Sequence, residues 1–316
     1  MNIAMYVEEA GLTGGIEVFA RRHEARLRAG GHVVERFARG EDFLAAEKAR
    51  PFDEVVVHKC GDVATLEKFP PGKTVFYVHD HEPVCPRGCA YTPLGRNCSR
   101  PGALWPCILC APASRRWKNG MARVLTQRRR KAALSRFKRL VVISEFMKAR
   151  LVANGIPPGR ISVEPPVMEA AALRADGKPP LPPLDLVYVG QLVRGKGVHL
   201  LLRALARMKG GRRLDIVGAG NMDARLKALA RRLGLAGRVT FHGFQPNPAD
   251  YMAAARCVVV PSFWQEPYGL VAAEAAAMGK KVVAFAVGGL PEACGENAVL
   301  VPPGDVDALA RALEGA

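Results

Sequence analysis

The stretch LDLVYVGQLVRGKGVHLLLRALARMKGGRRLDIVG, residues 184–218, reads as one complete strand–loop–helix–strand unit. LDLVYVG (184–190) is a short apolar run of the kind that fills a strand buried on both faces, and LDIVG (214–218) is a second. Between them lie a glycine-rich turn and helical spacing over 197–208. Downstream the pattern repeats, with a helix over 222–233, RVTFHGF (238–244), a helix near 249–255, CVVVP (257–261), a helix over 269–278 and KVVAFA (281–286). Upstream it is already present as IAMYV (3–7), a helix over 16–27, HVVERFA (32–38), DEVVVHK (53–59), KTVFYVHD (73–80), RLVVIS (139–144) and a helix over 145–154. That last helix ends at Gly155, with Pro157 and Pro158 just beyond it. Residues 163–185 hold six prolines and little periodicity, which reads as a linker. The expectation is α/β: two doubly wound halves, with ligands bound beyond the carboxyl ends of parallel strands.

The chain has 316 residues, 49% of them hydrophobic and 24% charged, with eight cysteines and a formal net charge of +17. This is ordinary globular composition, and it excludes disordered and collagen-like chains. No uninterrupted apolar run reaches the roughly 18–20 residues of a membrane span. MNIAMYVEEAG at the start lacks the basic flank of a secretory signal, so a cytoplasmic, reducing setting is expected, where eight cysteines are not a disulfide framework. The charge is concentrated: residues 83–144 carry 14 Lys and Arg and no Asp or Glu. Such a field attracts phosphates, nucleic acid or an anionic membrane surface.

Three loops after predicted strands have the composition of binding sites. EEAGLTGGIEVF (8–19) sets Gly14 and Gly15 directly before a helix, where backbone can approach a ligand and free N–H groups favour an anion; the competing reading is a tight turn alone. GQLVRGKG (190–197) places Arg194 and Lys196 to reach a phosphate over the following helix. It lacks P-loop spacing, and LDIVGAGN (214–221) lacks the third glycine of a dinucleotide fingerprint. The most specific is PSFWQEPYGLVAAEAAAMG (261–279). Glu266 ends a loop, Pro267 suits a first helical position, and Gly269 opens an Ala-rich helix carrying Glu274. Bare N–H groups at 267–270 would face an anion, and Glu274 is placed to accept from hydroxyls.

The segment Glu266 to Glu274 resembles the E-x7-E motif of retaining, GT-B-fold nucleotide-sugar glycosyltransferases of family 4 (glycosyl transferases group 1). GGIEVF (14–19), VVISEFMKARLVANGIPPGRISVEPP (141–166), YVGQLVRGKGVHLLLRAL (188–205), VTFHGF (239–244) and AFAVGGLPE (284–292) look like that family's successive blocks. The resemblance implies a GT-B fold, two doubly wound Rossmann-like domains facing each other across a cleft. An acceptor-side domain would cover 1–167, with a Cys/Arg-rich insertion at about 81–138. A nucleotide-sugar-binding domain would cover 168–316, ending at GDVDALARALEGA before the crossover helices usual in the family. The implied reaction moves a hexose from a UDP- or GDP-sugar to a glycan or lipid-linked acceptor, in bacterial cell-envelope polysaccharide or glycolipid synthesis. No cofactor is required for transfer. On the same resemblance His79 contacts the donor sugar near the reacting carbon and Glu266 positions the hexose. Gly14, Gly15, Gly190, Arg194, Lys196, Gly218, Gly269, Leu270 and Glu274 form the donor site, with Lys196 and the N–H groups of Gly269 and Leu270 on the diphosphate and Glu274 on the ribose. Where the family commonly has Arg after the loop glycine, this chain has Gln191, and Arg194 is expected to supply that charge.

HDHEPVCPRGCAYTPLGRNCSRPGALWPCILC (79–110) holds five cysteines. The CxxC pair Cys107 and Cys110, with Cys85 and Cys98, would make a tetrahedral metal set, Cys89 being an alternative ligand; zinc is expected first and an iron–sulfur cluster second. The competing reading is a set of reduced or redox-labile thiols. Cys60, Cys257 and Cys294 read as small core hydrophobes. In SRRWKNGMARVLTQRRRKAALSRFKRL (114–140), Trp117, Met121, Val124 and Leu125 recur at helical spacing among arginines. Such a helix lies on an anionic membrane surface, which would make the protein peripheral on the inner face, or packs its apolar stripe on the core. The alternative function is a nucleic-acid- or membrane-binding protein with a silent GT-B fold. Nucleic acid is disfavoured, because the basic segment has few aromatics for stacking and no known module.

Overall fold

A computed structural model describes residues 1–8, 15–92, 96–99, 102–110, 120–168 and 180–316. The chain divides into two compact units, Met1–Pro166 and Val167–Ala316. The first carries strands β1 (Asn2–Val7), β2 (Val33–Phe37), β3 (Glu54–Lys59), β4 (Thr74–Val78), β5 (Arg139–Val142) and β6 (Ile161–Val163). They form a sheet in the order β2-β1-β3-β4-β5-β6, parallel throughout. Its described helices are α1 (Gly15–Ala29), α2 (Gly40–Ala49), α3 (Val63–Leu66), α4 (Leu104–Cys110), α5 (Gly120–Leu134) and α6 (Glu145–Ala153).

The second unit carries β7 (Leu184–Val189), β8 (Leu214–Val217), β9 (Val239–Gly243), β10 (Ala255–Val260), β11 (Lys281–Phe285) and β12 (Ala298–Val301). Their order is β12-β11-β10-β7-β8-β9, again parallel throughout. This is the doubly wound order whose direction reverses between β7 and β10, so loops after these two strands open a crevice at their carboxyl ends. The described helices are α7 (Val198–Arg207), α8 (Asp223–Arg232), α9 (Pro248–Ala254), α10 (Leu270–Ala277), α11 (Leu290–Ala293) and α12 (Val306–Glu314). The fold is the expected one, two Rossmann-like α/β units.

Burial explains the continuous apolar strands. Leu186 and Val187 of β7, Val258 and Val259 of β10 and Val282 and Val283 of β11 have no exposed surface, because helices cover both faces of the sheet. Each such side chain stabilises the fold by about 1.5–3 kcal/mol relative to exposure. In the first unit an aromatic cluster does the same, with Tyr6, Phe43 and Phe69 in edge-on and tilted contact.

Several boundaries differ from the sequence reading. β4 stops at Val78, so His79 and Asp80 stand in the loop beyond it rather than at the strand's end. α10 begins at Leu270 with Gly269 as its N-cap, which moves the bare N–H groups from 267–270 to 270 onward and leaves Pro267 in the loop. The edge strands β6 and β12 and the helix α2 were not read. β6 has only three residues, too few to show a pattern. On α5 the buried face is Val124, Gln127, Arg130 and Leu134, whereas Met121 and Leu125 are exposed, so of the described stripe residues Val124 alone helps to seat the helix. Gln127 Nε2 donates to the Pro83 carbonyl at 2.5 Å, and Arg130 donates to the carbonyls of Cys60 and Gly61 at 2.7 and 2.6 Å. Trp117 lies outside the described residues.

Two glycines make the second crevice possible. Gly197 has φ +74°, and a Cβ there would lie 1.7 Å from the Pro261 carbonyl oxygen; a Cβ on Gly218 would lie 1.9 Å from that of Gly190. Replacing Gly197 by Ala is expected to cost about 3 kcal/mol, from left-handed strain plus displaced backbone. Gly210→Ala, with nothing within 4 Å of its Cβ, serves as the control and should stay within about 0.5 kcal/mol. Urea unfolding followed by circular dichroism measures both; equal stabilities would refute the close approach.

Candidate functional site

In the second unit the loops after β7 and β10 bring together residues 70 positions apart. Lys196 Nζ lies 2.5 Å from Glu266 Oε1, and Trp264 Nε1 donates to the same oxygen at 2.8 Å. The Lys196 ammonium also stands 5.5 Å from the centre of the Trp264 ring. Backbone contacts hold the two loops in register: the Gly195 carbonyl accepts from the N–H groups of Phe263 and Trp264 at 3.1 and 3.4 Å, and Gly289 N–H donates to the Glu266 carbonyl at 2.8 Å. Glu266 is buried, only 7% exposed. Burial pushes its carboxyl up, but the charge and hydrogen bond of Lys196 and the indole N–H outweigh this and hold it below the usual range. At neutral pH it is a carboxylate paired with an ammonium.

α10 starts three residues past Pro267, and Ala273 N–H is the first described there to reach back to Gly269. The N–H groups before it carry the positive end of the helix dipole. Glu274 sits on α10, half-buried. Gly190 and Gly218 lie against one another at the ends of β7 and β8. Arg194 is not part of the Lys196–Glu266 cluster. It is exposed and lines a cavity of about 700 Å³ between α7 and α8 together with His199, Arg203, Arg225, Arg231 and Arg232. Gln191 is exposed, and its carbonyl accepts from Tyr188 Oη at 2.9 Å.

In the first unit the sheet's carboxyl edge holds His79. The HDHE loop (79–82) is pinned from two sides. Lys59 Nζ lies 3.1 Å from Asp80 Oδ2 and 2.8 Å from Glu82 Oε1, and Arg130 Nη1 lies 3.3 Å from Glu82 Oε2. Behind it His79 Nε2 lies 2.9 Å from His58 Nδ1, and His58 Nε2 lies 3.0 Å from His23 Nδ1. Phe19 of α1 packs edge-on against His79, with ring centres 4.9 Å apart. Burial pushes the His79 imidazolium down to about 4, opposed by the Asp80 carboxylate and assisted by Lys59. Gly15 opens α1, and Gly14 lies outside the described residues. His23, His58 and Trp264 were missed by the sequence reading. His58 sits in VVVHK, where a histidine inside an apolar strand is the visible signal, and Trp264 stands two residues before Glu266.

Among the described residues, no three His, Cys, Asp or Glu side chains are grouped closely enough to hold one metal ion. Cys107 interacts electrostatically with Cys85, Cys98 and Cys110, the other three cysteines of the expected set. The segment also has local bonds. Cys85 and Cys89 are hydrogen-bonded to each other; that bond, aided by the N–H groups of Arg87, Ala90 and Cys89, pulls the Cys85 thiol down to about 5 and pushes the Cys89 thiol up. Cys110 accepts a long contact from Arg87 Nη1 at 3.7 Å, and burial raises the Cys107 thiol. Cys60, Cys257 and Cys294 are buried, as core hydrophobes should be. Among the described residues no helix is long and apolar enough to cross a membrane.

Residues 183–316 match the profile of the glycosyl transferases group 1. A D-inositol 3-phosphate glycosyltransferase of Mycobacterium avium is 37% identical over 197 residues, 56% of this chain and 46% of that protein. The lipopolysaccharide core biosynthesis glycosyltransferase LpsE of Rhizobium meliloti is 34% identical over 168 residues, 52% of this chain and 46% of LpsE. The chain thus spans about half the length of the curated relatives it matches. Among solved structures, Anabaena HepE in complex with UDP-glucose superposes with a TM-score of 0.70 at 20% identity, covering all of this chain and 89% of HepE. WaaG, a glycosyltransferase involved in lipopolysaccharide biosynthesis, gives 0.69 at 19% identity over 99% of this chain and 90% of WaaG. The carboxy-terminal unit is thus similar to the group 1 glycosyltransferases, and the two Rossmann-like units are those of the GT-B fold that these enzymes share.

Proposed function

We propose that the protein is a retaining glycosyltransferase that moves a hexose from a UDP- or GDP-sugar to a glycan or lipid-linked acceptor in cell-envelope polysaccharide or glycolipid synthesis. The observation that carries this reading is the Lys196–Glu266 pair at the point where the second sheet reverses, beside the start of α10. A nucleoside diphosphate laid over that helix start would meet the ammonium of Lys196 and the N–H groups of Gly269 and Leu270. These neutralise the charge that builds on the leaving group as the glycosidic bond breaks. Glu266, ionised and held by two donors, acts as a hydrogen-bond acceptor that orients the hexose and not as an acid. Glu274, further along α10, takes the ribose hydroxyls. His79, in the first unit, takes the donor-sugar role that the family resemblance gives it, and that unit serves the acceptor. UDP is the first nucleotide to try, because HepE was solved with UDP and UDP-glucose. The retaining course rests on the resemblance of the E-x7-E segment.

An acceptor at a membrane surface is supported by a second observation. On the contacting helices α4 and α5, Trp105 is 72% and Leu109 81% exposed, and Met121 and Leu125 are exposed beside them, all within the acid-free basic segment. Large exposed apolar side chains in a strongly basic segment suit an anionic lipid surface.

Calorimetry with UDP, GDP, ADP and dTDP is expected to find one nucleotide that binds. Lys196→Ala should weaken it about 30-fold, the worth of a charged hydrogen bond, and Glu274→Ala about tenfold. Unchanged affinity in a folded Glu274→Ala protein would sink the ribose assignment, and no binding of any nucleotide would favour the silent fold. For the membrane surface, the protein should sediment with phosphatidylglycerol vesicles at low salt and be released at high salt. The Trp105→Ser/Leu109→Ser protein should sediment several-fold less; sedimentation unaffected by salt and by these changes would count against the surface.

A further inference from the structure

The first unit contains a line of hydrogen bonds that runs from its surface to His79. Arg139 Nη1 lies 3.1 Å from Glu164 Oε1. Tyr77 Oη lies 3.2 Å from Glu164 Oε2 and 3.4 Å from His23 Nε2. His23 Nδ1 lies 3.0 Å from His58 Nε2, and His58 Nδ1 lies 2.9 Å from His79 Nε2. The residues come from α1, β3, β4, the start of β5 and the ends of β4 and β6, and His23 and His58 are buried.

Counting protons gives the line a direction. Glu164 faces a guanidinium and can only accept, so the single phenolic proton of Tyr77 goes to it. Burial, and then Glu164 itself, hold that proton on Tyr77 by raising its pKa. The phenol oxygen is left to accept, which requires His23 to carry its proton on Nε2. His23 Nδ1 is then a lone pair and accepts from His58 Nε2–H. His58 Nδ1 in turn accepts from His79 Nε2–H. All three imidazoles are neutral at physiological pH, since burial pushes His23 and His79 down to about 4 and holds His58 well below its usual value. The last lone pair in the line is His79 Nδ1, to which no described residue is hydrogen-bonded.

We infer that Glu164, acting through Tyr77, His23 and His58, sets the tautomer of His79, with its proton on Nε2 and the Nδ1 lone pair presented to a hydroxyl of the substrate. Glu164, Tyr77, His23 and His58 are positioning residues. His79 accepts a hydrogen bond and gives no proton to the reaction. The part of this that concerns substrate rests on the preceding reading of His79; the part that concerns the tautomer does not. The mechanism is that of any oriented imidazole, in which the bond made by one ring nitrogen decides what the other offers.

The free protein, without nucleotide, tests the line directly by long-range proton–nitrogen correlation spectroscopy of its imidazoles. His23, His58 and His79 are each expected as the Nε2–H tautomer with a pyridine-like Nδ1. Tyr77→Phe keeps the buried ring and removes the relay, and Glu164→Gln changes a half-exposed group, so both proteins should fold. In each, His58 and His79 should show averaged tautomers. Once a donor and acceptor are in hand, kcat for transfer should fall about tenfold in Tyr77→Phe, the worth of one oriented hydrogen bond, with nucleotide affinity unchanged. An Nδ1–H tautomer at His79 in the unaltered protein, or tautomers unmoved by Tyr77→Phe, would overturn the relay. Averaged tautomers with an unaltered kcat would overturn its role in transfer. A wild-type protein that binds no nucleotide but keeps the three Nε2–H imidazoles would instead refute the proposed function and leave the relay standing.

Discussion

At Gly197 the backbone after β7 passes so close to the Pro261 carbonyl after β10 that a single methyl group would lie 1.7 Å from its oxygen. The second unit is arranged around this approach. Because the two strands are neighbours at the reversal of the sheet, their loops leave side by side. Because Gly195 and Gly197 carry no side chain, the loops touch through backbone, Gly195 accepting from Phe263 and Trp264. Lys196, between those glycines, is then delivered onto Glu266, 70 residues away in the chain.

Energetically this is a costly place to put charges. Desolvation of Glu266 opposes ionisation, and an unpaired carboxylate at that depth would take up a proton. The charge and hydrogen bond of Lys196 and the Trp264 N–H reverse the balance, so the carboxylate stays ionised. A buried pair of this type is weak evidence for stability and better evidence for a site whose partners are meant to be exchanged.

The first unit solves a different problem, that of holding a histidine loop in one shape. Lys59 and Arg130 clamp the acids of the HDHE segment, and the imidazole line supports His79 from behind. Arg130 belongs to a segment whose arginines look, in one dimension, like a solvated basic face. In three dimensions it is buried and satisfies the carbonyls of Cys60 and Gly61 at the end of β3. Among the cysteines the fold pairs Cys85 with Cys89, four residues apart.

Apolar strands that alternate with helices, the proline-rich break at 163–185 and the Glu266–Glu274 segment were legible without coordinates, because strand and helix periodicity and a short motif are local properties of the chain. That was enough for two doubly wound units and for the candidates His79, Lys196, Glu266 and Glu274. It was not enough to place Arg194, which turns to the cavity between α7 and α8, or to find His23, His58 and Tyr77 as one line. The parallel register of β3 on β4, Val57 beside Phe76, sets His58 against Tyr77, and α1 then lays His23 on both. Strand order and register are long-range choices made by packing of the whole sheet, so which distant side chains share a proton is decided only when the sheet is assembled.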